Sequence, residues 1–307
     1  YMDTKQIEYI LKIAEENNIT KAAEKLFITQ SALNQQLLKL EKELGTPLFH
    51  RSRTNWRLTE AGEIYIEGAK AALQIKNTTY NRIYDVVSAR KGHLTIGLTP
   101  GRGLRMFTSI YPELHRSFPN LDVRPIEMRV RAQQDAIAKG DIDVGLMTLT
   151  QKDQTSDTYY PLKQEELVLI IPSGHPLAAK AAPSGEPLTT LDLTELRYEP
   201  FVLMDKTSTL RSSCDLLFEK AGFAPNILFE TNNTSGIAAM VQSTLCCGII
   251  PRYYTLGLTE GVACFSLPER PSWEIVISCQ KNAYLNSGAR EFIRLAREYW
   301  ENSAPLF

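Results

Sequence analysis

The chain has 307 residues, 43% of them hydrophobic and 22% charged, with 34 Lys and Arg against 35 Asp and Glu for a formal net charge of −1. At about 100–200 residues per domain this length predicts two domains, and the composition excludes a disordered or fibrous chain. No apolar run approaches the ~18 residues of a membrane span and no signal-peptide core opens the sequence, so no membrane partner is expected and the expected location is cytoplasmic.

Asp3 and Gln6 have capping-box spacing, and Ile7, Ile10, Leu11 and Ala14 recur at helical spacing, predicting a first helix to about Asn17. Thr20 as N-cap predicts a short second helix from Lys21 to Leu26, with Ala22, Ala23 and Leu26 facing a core. Thr29 caps a third helix whose Leu33, Leu37, Leu40 and Leu44 form an apolar stripe and which Gly45 terminates. On its other face Gln30 stands four residues before Asn34, and Ser31 four before Gln35, so their polar side chains project together. Such groups suit base reading, because amides pair with adenine N6 and N7 while the helix N-terminus meets phosphate. A solvated polar face is the plain alternative.

Gly45 to Thr59 has a hairpin pattern carrying Arg51, Arg53 and Arg57, which reads as a wing. Together with Lys39 and Lys42 these arginines outnumber Glu41 and Glu43, giving a local positive patch on a chain of nearly zero net charge. Arginines on a hairpin beside a recognition helix suit phosphate contact or a narrow minor groove. The candidate contacts to double-stranded DNA are Thr29, Gln30, Ser31, Asn34, Gln35, Lys39, Arg51, Arg53 and Arg57.

The segments Ala22-Ala23-Glu24-Lys25-Leu26, Thr29-Gln30-Ser31-Ala32-Leu33, Leu40-Glu41-Lys42-Glu43-Leu44-Gly45, Leu48-Phe49-His50-Arg51 and Leu58-Thr59-Glu60-Ala61-Gly62 closely resemble the LysR-type transcriptional regulators. Two positions depart from that pattern, Ser31 where proline is common and Asn34 where serine is common. Both lie on the DNA-facing side and bear on the target sequence rather than on the fold.

From Thr59 to about Arg90 there is no proline, and Ile64, Ala71, Ala72, Ile75, Ile83 and Val87 recur along what reads as one long helix. The resemblance implies a dimerisation helix, hence a homodimer or dimer of dimers presenting paired winged domains to two half-sites. A helix lying on its own sensor domain is the alternative.

Beyond Gly92 the pattern alternates. Strands are predicted at His93–Leu98, Leu121–Ile126 and Asp143–Met147, with helices at Leu104–Phe118 and Ala132–Lys139 between them. A second series follows: strands at Leu167–Ile171, Phe201–Met204, Ile227–Glu230 and Ile249–Pro251, and helices at Leu210–Gly222 and Gly236–Thr244. The stretch from Ser173 to Pro187 reads as a surface loop, and the chain closes with a strand at Trp273–Cys279 and a helix from Ser287 to about Trp300. Such alternation implies parallel βαβ units. The resemblance implies that the closing elements return to the first lobe, as in periplasmic-binding proteins, with a cleft between lobes. The expected fold is therefore α+β multidomain: a winged helix-turn-helix at 1–59, a linker helix at 60–91, and a two-lobed α/β effector domain at 92–307. Lobe I is expected at about 92–162 and 268–307, lobe II at about 163–267.

Ligands in parallel α/β sheets bind beyond the carboxyl ends of strands, often at helix N-termini. Thr99, Pro100, Gly101 and Arg102 hold that place after the first strand, where a hydroxyl, backbone N–H groups and a guanidinium suit an anion. Arg129 follows the second strand, Met147 and Met204 end strands of opposite lobes, and Thr231 and Asn232 precede a helix as Thr99 does. An anionic small-molecule effector is the expected partner, with a plain turn, surface or core role as the alternative for each residue. Five cysteines, Cys214, Cys246, Cys247, Cys264 and Cys279, form no CxxC pair and read as buried thiols, a redox pair being the alternative. There is no G-x-S-x-G elbow, Walker A loop or H-E-x-x-H, and the histidines are scattered, so no catalytic, metal or cofactor site is expected. A metabolite-processing enzyme with an appended DNA-binding module, or a secreted solute-binding protein, is the competing reading. The expected mechanism is an effector that favours one lobe arrangement and so alters how paired winged domains hold DNA.

Overall fold

The computed structural model describes residues 3–52, 55–88, 90–258 and 260–306. Contacts divide the chain into two compact units, one built on the segment up to His93 and the other on the remainder apart from Lys139–Asp141.

In the first unit, α1 spans Thr4–Glu16, α2 Ile19–Lys25 and α3 Gln30–Leu44. The expected capping box at Asp3 does not form, because Gln6 is buried and Asp3 makes no side-chain cap bond. Helix α2 begins before Thr20: Asn18 is its cap, accepting from the Lys21 N–H at 3.0 Å. Thr29 caps α3 as its sequence suggests, accepting from Ala32 N–H, and Gly45 closes it at φ 73°. Leu33, Leu37 and Leu40 pack with Ile7, Ile10 and Ile13 into one core. Leu44, the last residue of the expected stripe, is instead 47% exposed. By its last turn α3 has left that core, and the inward place belongs to Glu41, whose carboxylate accepts from Leu48 N–H at 2.8 Å and pairs with Arg51.

The wing strands β1 (Phe49–His50) and β2 (Arg57–Leu58) pair antiparallel and lead into α4 (Glu60–Val86). Thr59 caps α4 through Gly62 N–H and donates to Pro47 C=O. A Cβ at Gly62 would stand 2.1 Å from the Leu48 carbonyl oxygen, so only glycine lets α4 start against the wing. Tyr65 and Ala69 join the core of α1 to α3, so the long helix belongs to the same unit as the winged module. Ile75, Tyr80, Ile83 and Val86, farther along, remain exposed.

In the second unit, β3 (Lys91–Leu98), α5 (Arg102–Ser117), β4 (Asn120–Glu127), α6 (Val130–Lys139) and β5 (Val144–Leu149) build lobe I. Strands β3 and β5 are parallel neighbours, with Gly97 beside Gly145. A single strand, β6 (Thr158–Pro172), then runs through both lobes. Lobe II adds β7 (Pro200–Met204), α7 (Thr209–Ala221), β8 (Asn226–Thr231), α8 (Thr234–Gln242), β9 (Gly248–Pro251) and β10 (Val262–Ser266). The chain returns to lobe I through β11 (Ser272–Cys279) and α9 (Ser287–Glu301).

The first half of β6 pairs antiparallel with β11, and its second half with β9 and β10. Parallel pairing joins β3 with β5 and β7 with β8, whereas the long β6 pairs antiparallel with β11, β9 and β10, a departure from the expected series of parallel βαβ units. Two strand expectations need correction. Strand β6 begins well before Leu167, because Pro161 and the charged Gln164-Glu165-Glu166 hide an extended segment, and β10 is too short and too weakly patterned to have been anticipated. Separate apolar cores stand under each lobe, Phe292 and Trp300 in the first and Phe201 and Phe265 in the second.

Candidate DNA-reading face and effector cleft

The first turn of α3 exposes Thr29, Gln30, Ser31 and Ala32, with Gln35 and Lys39 exposed farther on and Asn34 half-buried. Thr20 Oγ1 donates to Gln30 Oε1 at 3.2 Å, setting the first turns of α2 and α3 side by side. Thr29 and Ser31 hydroxyls lie 3.2 Å apart. On the wing Arg57 is exposed, whereas Arg51 is tied to Glu41 and lies 5.6 Å from the Trp56 ring. Arg51 therefore anchors the wing to the end of α3, and Arg53 lies outside the described residues. The polar turn, Lys39 and Arg57 together offer amide and hydroxyl groups beside cations, the chemistry that duplex DNA requires.

Between the lobes of the second unit lies a cavity of about 450 Å³. Its walls come from the turn after β3, the start of α6, the end of β5 and the segments leading into α7 and α8. Ser208 caps α7 by accepting from Leu210 N–H, and Asn233 caps α8 by accepting from Ser235 N–H. The starts of α5, α7 and α8 thus converge on one space, where helix dipoles favour negative charge. Thr99 adds a buried hydroxyl that has no hydrogen-bond partner.

Thr99, Pro100, Gly101, Arg102, Arg129, Met204 and Asn232 all line this space. Two expected residues do not. Met147 is fully buried with Val130, Ile137 and Val276 on the other side of β5, while Thr148, one residue on, lines the cleft. Successive strand residues point to opposite faces, so the expectation was one position out. Thr231 turns its hydroxyl to Asn233 N–H at 3.2 Å and shapes the turn instead.

Arg102 is present but occupied. Its guanidinium is 2.6 Å from Glu165, both side chains being almost wholly inaccessible, and it lies 5.2–5.7 Å from the rings of Tyr253, Tyr254 and Trp273. Burial works against its charge, but Glu165 and Tyr254 outweigh that and raise its pKa. Glu165 is further held by Trp273 Nε1 at 2.7 Å and Tyr253 N–H at 2.9 Å. Arg102 therefore braces the cleft floor rather than waiting for a ligand.

Arg129 reaches across from lobe I to Asp205 of lobe II at 2.7 Å and to the Thr207 hydroxyl at 2.6 Å, both through Nη1. Burial opposes charge on Asp205, yet hydrogen bonds from Thr207 and Arg129 hold its pKa below the usual range. Arg131 adds bonds to Thr207 C=O and the Ser212 hydroxyl, each at 3.3 Å. The start of α6 is set by Gln133, whose buried amide donates to Met128 C=O and Leu146 C=O. It can lie there because position 145 is glycine: a Cβ would stand 2.4 Å from its Oε1.

Sequence reasoning missed Glu165, Asp205, Gln133, Tyr254 and Trp273. A signal existed for one of them, since Asp205-Lys-Thr-Ser208 before a helical run has the composition of an N-terminal cap. All five cysteines have pKa values raised chiefly by burial, those of Cys214 and Cys247 to about 12, which leaves little thiolate at neutral pH. Cys264 alone is partly exposed. No cluster of metal-binding side chains occurs among the described residues. No helix among them is long and apolar enough to cross a membrane.

Comparison with known proteins gives the same division. Residues 4–63 match the bacterial regulatory helix-turn-helix protein family of lysR type, and residues 88–301 match the LysR substrate binding domain. An uncharacterised HTH-type transcriptional regulator of Bacillus subtilis, YcgK, is 29% identical over 97% of this chain and 94% of its own length. The Hca operon transcriptional activator HcaR of Escherichia coli is 26% identical, covering 97% of this chain and 98% of its own. Among solved structures, a full-length OxyR variant from Pseudomonas aeruginosa superposes with a TM-score of 0.70 at 21% identity, covering 98% of this chain and 95% of that one. CbnR complexed with its target DNA gives 0.66 at 20% identity, covering 97% and 100%. With an N-terminal helix-turn-helix for DNA and a two-lobed C-terminal substrate-binding domain, the chain belongs to the LysR family of transcriptional regulators.

Proposed function

We propose that the cleft binds a small anionic effector whose occupancy changes how two or more copies of the chain hold operator DNA in the cytoplasm. The convergence of three helix starts on one cavity, beside the buried and unpartnered Thr99 hydroxyl, carries this reading, because helix N-termini favour negative charge and a buried polar atom with no partner is costly. Arg129, Asn232 and the hydroxyls of Thr207 and Ser208 complete the polar lining, and Met204 adds an apolar wall. With Arg102 committed to Glu165, backbone N–H groups and hydroxyls do most of the anion recognition. Ile75, Ile83 and Val86 on α4 supply apolar surface for pairing with a second copy.

On the DNA side, Gln30, Ser31, Asn34 and Gln35 read base edges, while Thr29, Lys39, Arg53 and Arg57 meet phosphates. Gln30→Ala is expected to relax base preference at a cost of about 1–3 kcal/mol on the preferred site. Arg57→Ala is expected to weaken all duplexes alike and lower the salt slope by about one. Fluorescence anisotropy across a salt series separates the two, and a cleft ligand that binds yet leaves DNA affinity, footprint and bend unchanged would refute the switch.

A further inference from the structure

The turn joining α2 to α3 contains a residue that local physics does not favour. Phe27 is 95% exposed, the most exposed large apolar side chain among the described residues. Its φ is +55°, in the left-handed region that suits glycine or asparagine. The other non-glycine residues of positive φ are Asn17, Ser88, Arg90, Thr244, Arg270 and Asn282, none with a large apolar side chain. The backbone demands this conformation: Phe27 N–H donates to Glu24 C=O and Ile28 N–H to Ala23 C=O, closing the end of α2. Leu26 and Ile28 pack against the core on either side, which leaves the residue between them pointing outward.

A short polar residue or glycine would satisfy both the backbone and the solvent, so neither folding nor solubility accounts for phenylalanine here. Strain combined with exposure marks a position held for function. The surface next to it is the exposed first turn of α3, Thr29 to Ala32, which a helix-turn-helix presents to the major groove. Phe27 stands three residues before Gln30 and has no large exposed apolar neighbour between Thr20 and Leu37. A lone ring cannot form a protein-docking patch, but it can cover one apolar spot on a duplex.

We propose that Phe27 extends the DNA-reading surface by packing its ring on an apolar face of the duplex, a thymine C5-methyl or a deoxyribose, beside the base pair addressed by Gln30. This rests on the placement of α3 given above. The full chain is used to select duplexes from a random-sequence pool, and Phe27→Asn, Phe27→Leu and Gln30→Ala are then titrated against them. Phe27→Asn, which tolerates the turn, should melt no earlier than the wild type yet bind about tenfold more weakly. Its salt slope should be unchanged, because an apolar contact releases no counterions. Phe27→Leu should retain most of the affinity. Duplexes with uracil in place of thymine should weaken the wild type but not Phe27→Asn if the methyl is the contact, and should affect both equally if the sugar is. Binding by Phe27→Asn within twofold of the wild type, while Gln30→Ala is impaired, overturns the inference and leaves the helix placement standing. If Gln30→Ala is also without effect, the placement itself fails. A salt slope lowered by about one in Phe27→Asn overturns the apolar contact as well.

Discussion

Arg57 sits exposed on a two-residue wing strand, whereas Arg102 is sealed between Glu165 and three aromatic rings at the floor of the cleft. The DNA-reading face keeps its polar groups available to solvent and therefore to a partner that supplies the opposing charge. The cleft has neutralised its own cations, Arg102 with Glu165 and Arg129 with Asp205, and leaves the Thr99 hydroxyl without a partner where three helix starts converge. Polyanionic DNA is attracted from a distance by uncompensated charge, while a small ligand must be held by short, directional bonds in a confined space.

The sharpest way to break this contrast is Glu165→Gln. It leaves Arg102 buried without a carboxylate and should cost about 3–5 kcal/mol in urea unfolding, because an uncompensated buried charge is expensive. A loss below about 1 kcal/mol would show that the rings alone solvate the guanidinium, and the account of a self-neutralised floor would fall.

A smaller effect is expected at the link between lobes. Asp205→Asn removes the carboxylate from a partly exposed pair, worth about 1 kcal/mol or less after solvent screening. Its folded pKa is lowered, so its contribution is present above the unfolded value of about 3.9 and disappears as pH falls through the folded one. The stability gap between wild type and Asp205→Asn should persist at neutral pH and close in strong acid. A gap that widened on acidification would reverse the sign and reject the link.

The smallest expected change is in Thr99→Val, which deletes a hydroxyl that has no partner. Thermal melting should shift by less than about 0.5 kcal/mol equivalent, since no hydrogen bond is lost, while binding of small carboxylates in the cleft should weaken. A large loss of stability would mean that the hydroxyl already serves the fold.

The same contrast explains what could be read from the residues alone. Gln30, Ser31, Asn34 and Gln35 lie on one helix, where a period of 3.6 places side chains without knowledge of anything distant. Thr99 and Asn232 were legible because each follows a strand and precedes a helix start. Glu165 was not, because it is a charge midway along a strand whose partners, Arg102, Tyr253 and Trp273, come from three distant segments. Arg51 was legible as a wing cation but not as the partner of Glu41, since a hairpin arginine carries no mark of where its guanidinium turns. Met147 failed for a simpler reason: β5 is buried on both faces, so hydrophobicity could not tell which face was the cleft.

Strand β6 passes from one lobe to the other without a break, and the only other crossing among the described residues is the short run from Leu267 to Pro271. At the junction Glu166 N–H donates to Leu306 C=O and Leu167 N–H to Pro271 C=O, both at 2.8 Å. Any rotation of one lobe against the other would then be taken up as torsion of these two crossings, β6 being held by main-chain ladders at both ends. The stiffness of such crossings is set mainly by backbone geometry, so exchanging cleft side chains to suit a new ligand would leave the connection between the lobes unchanged.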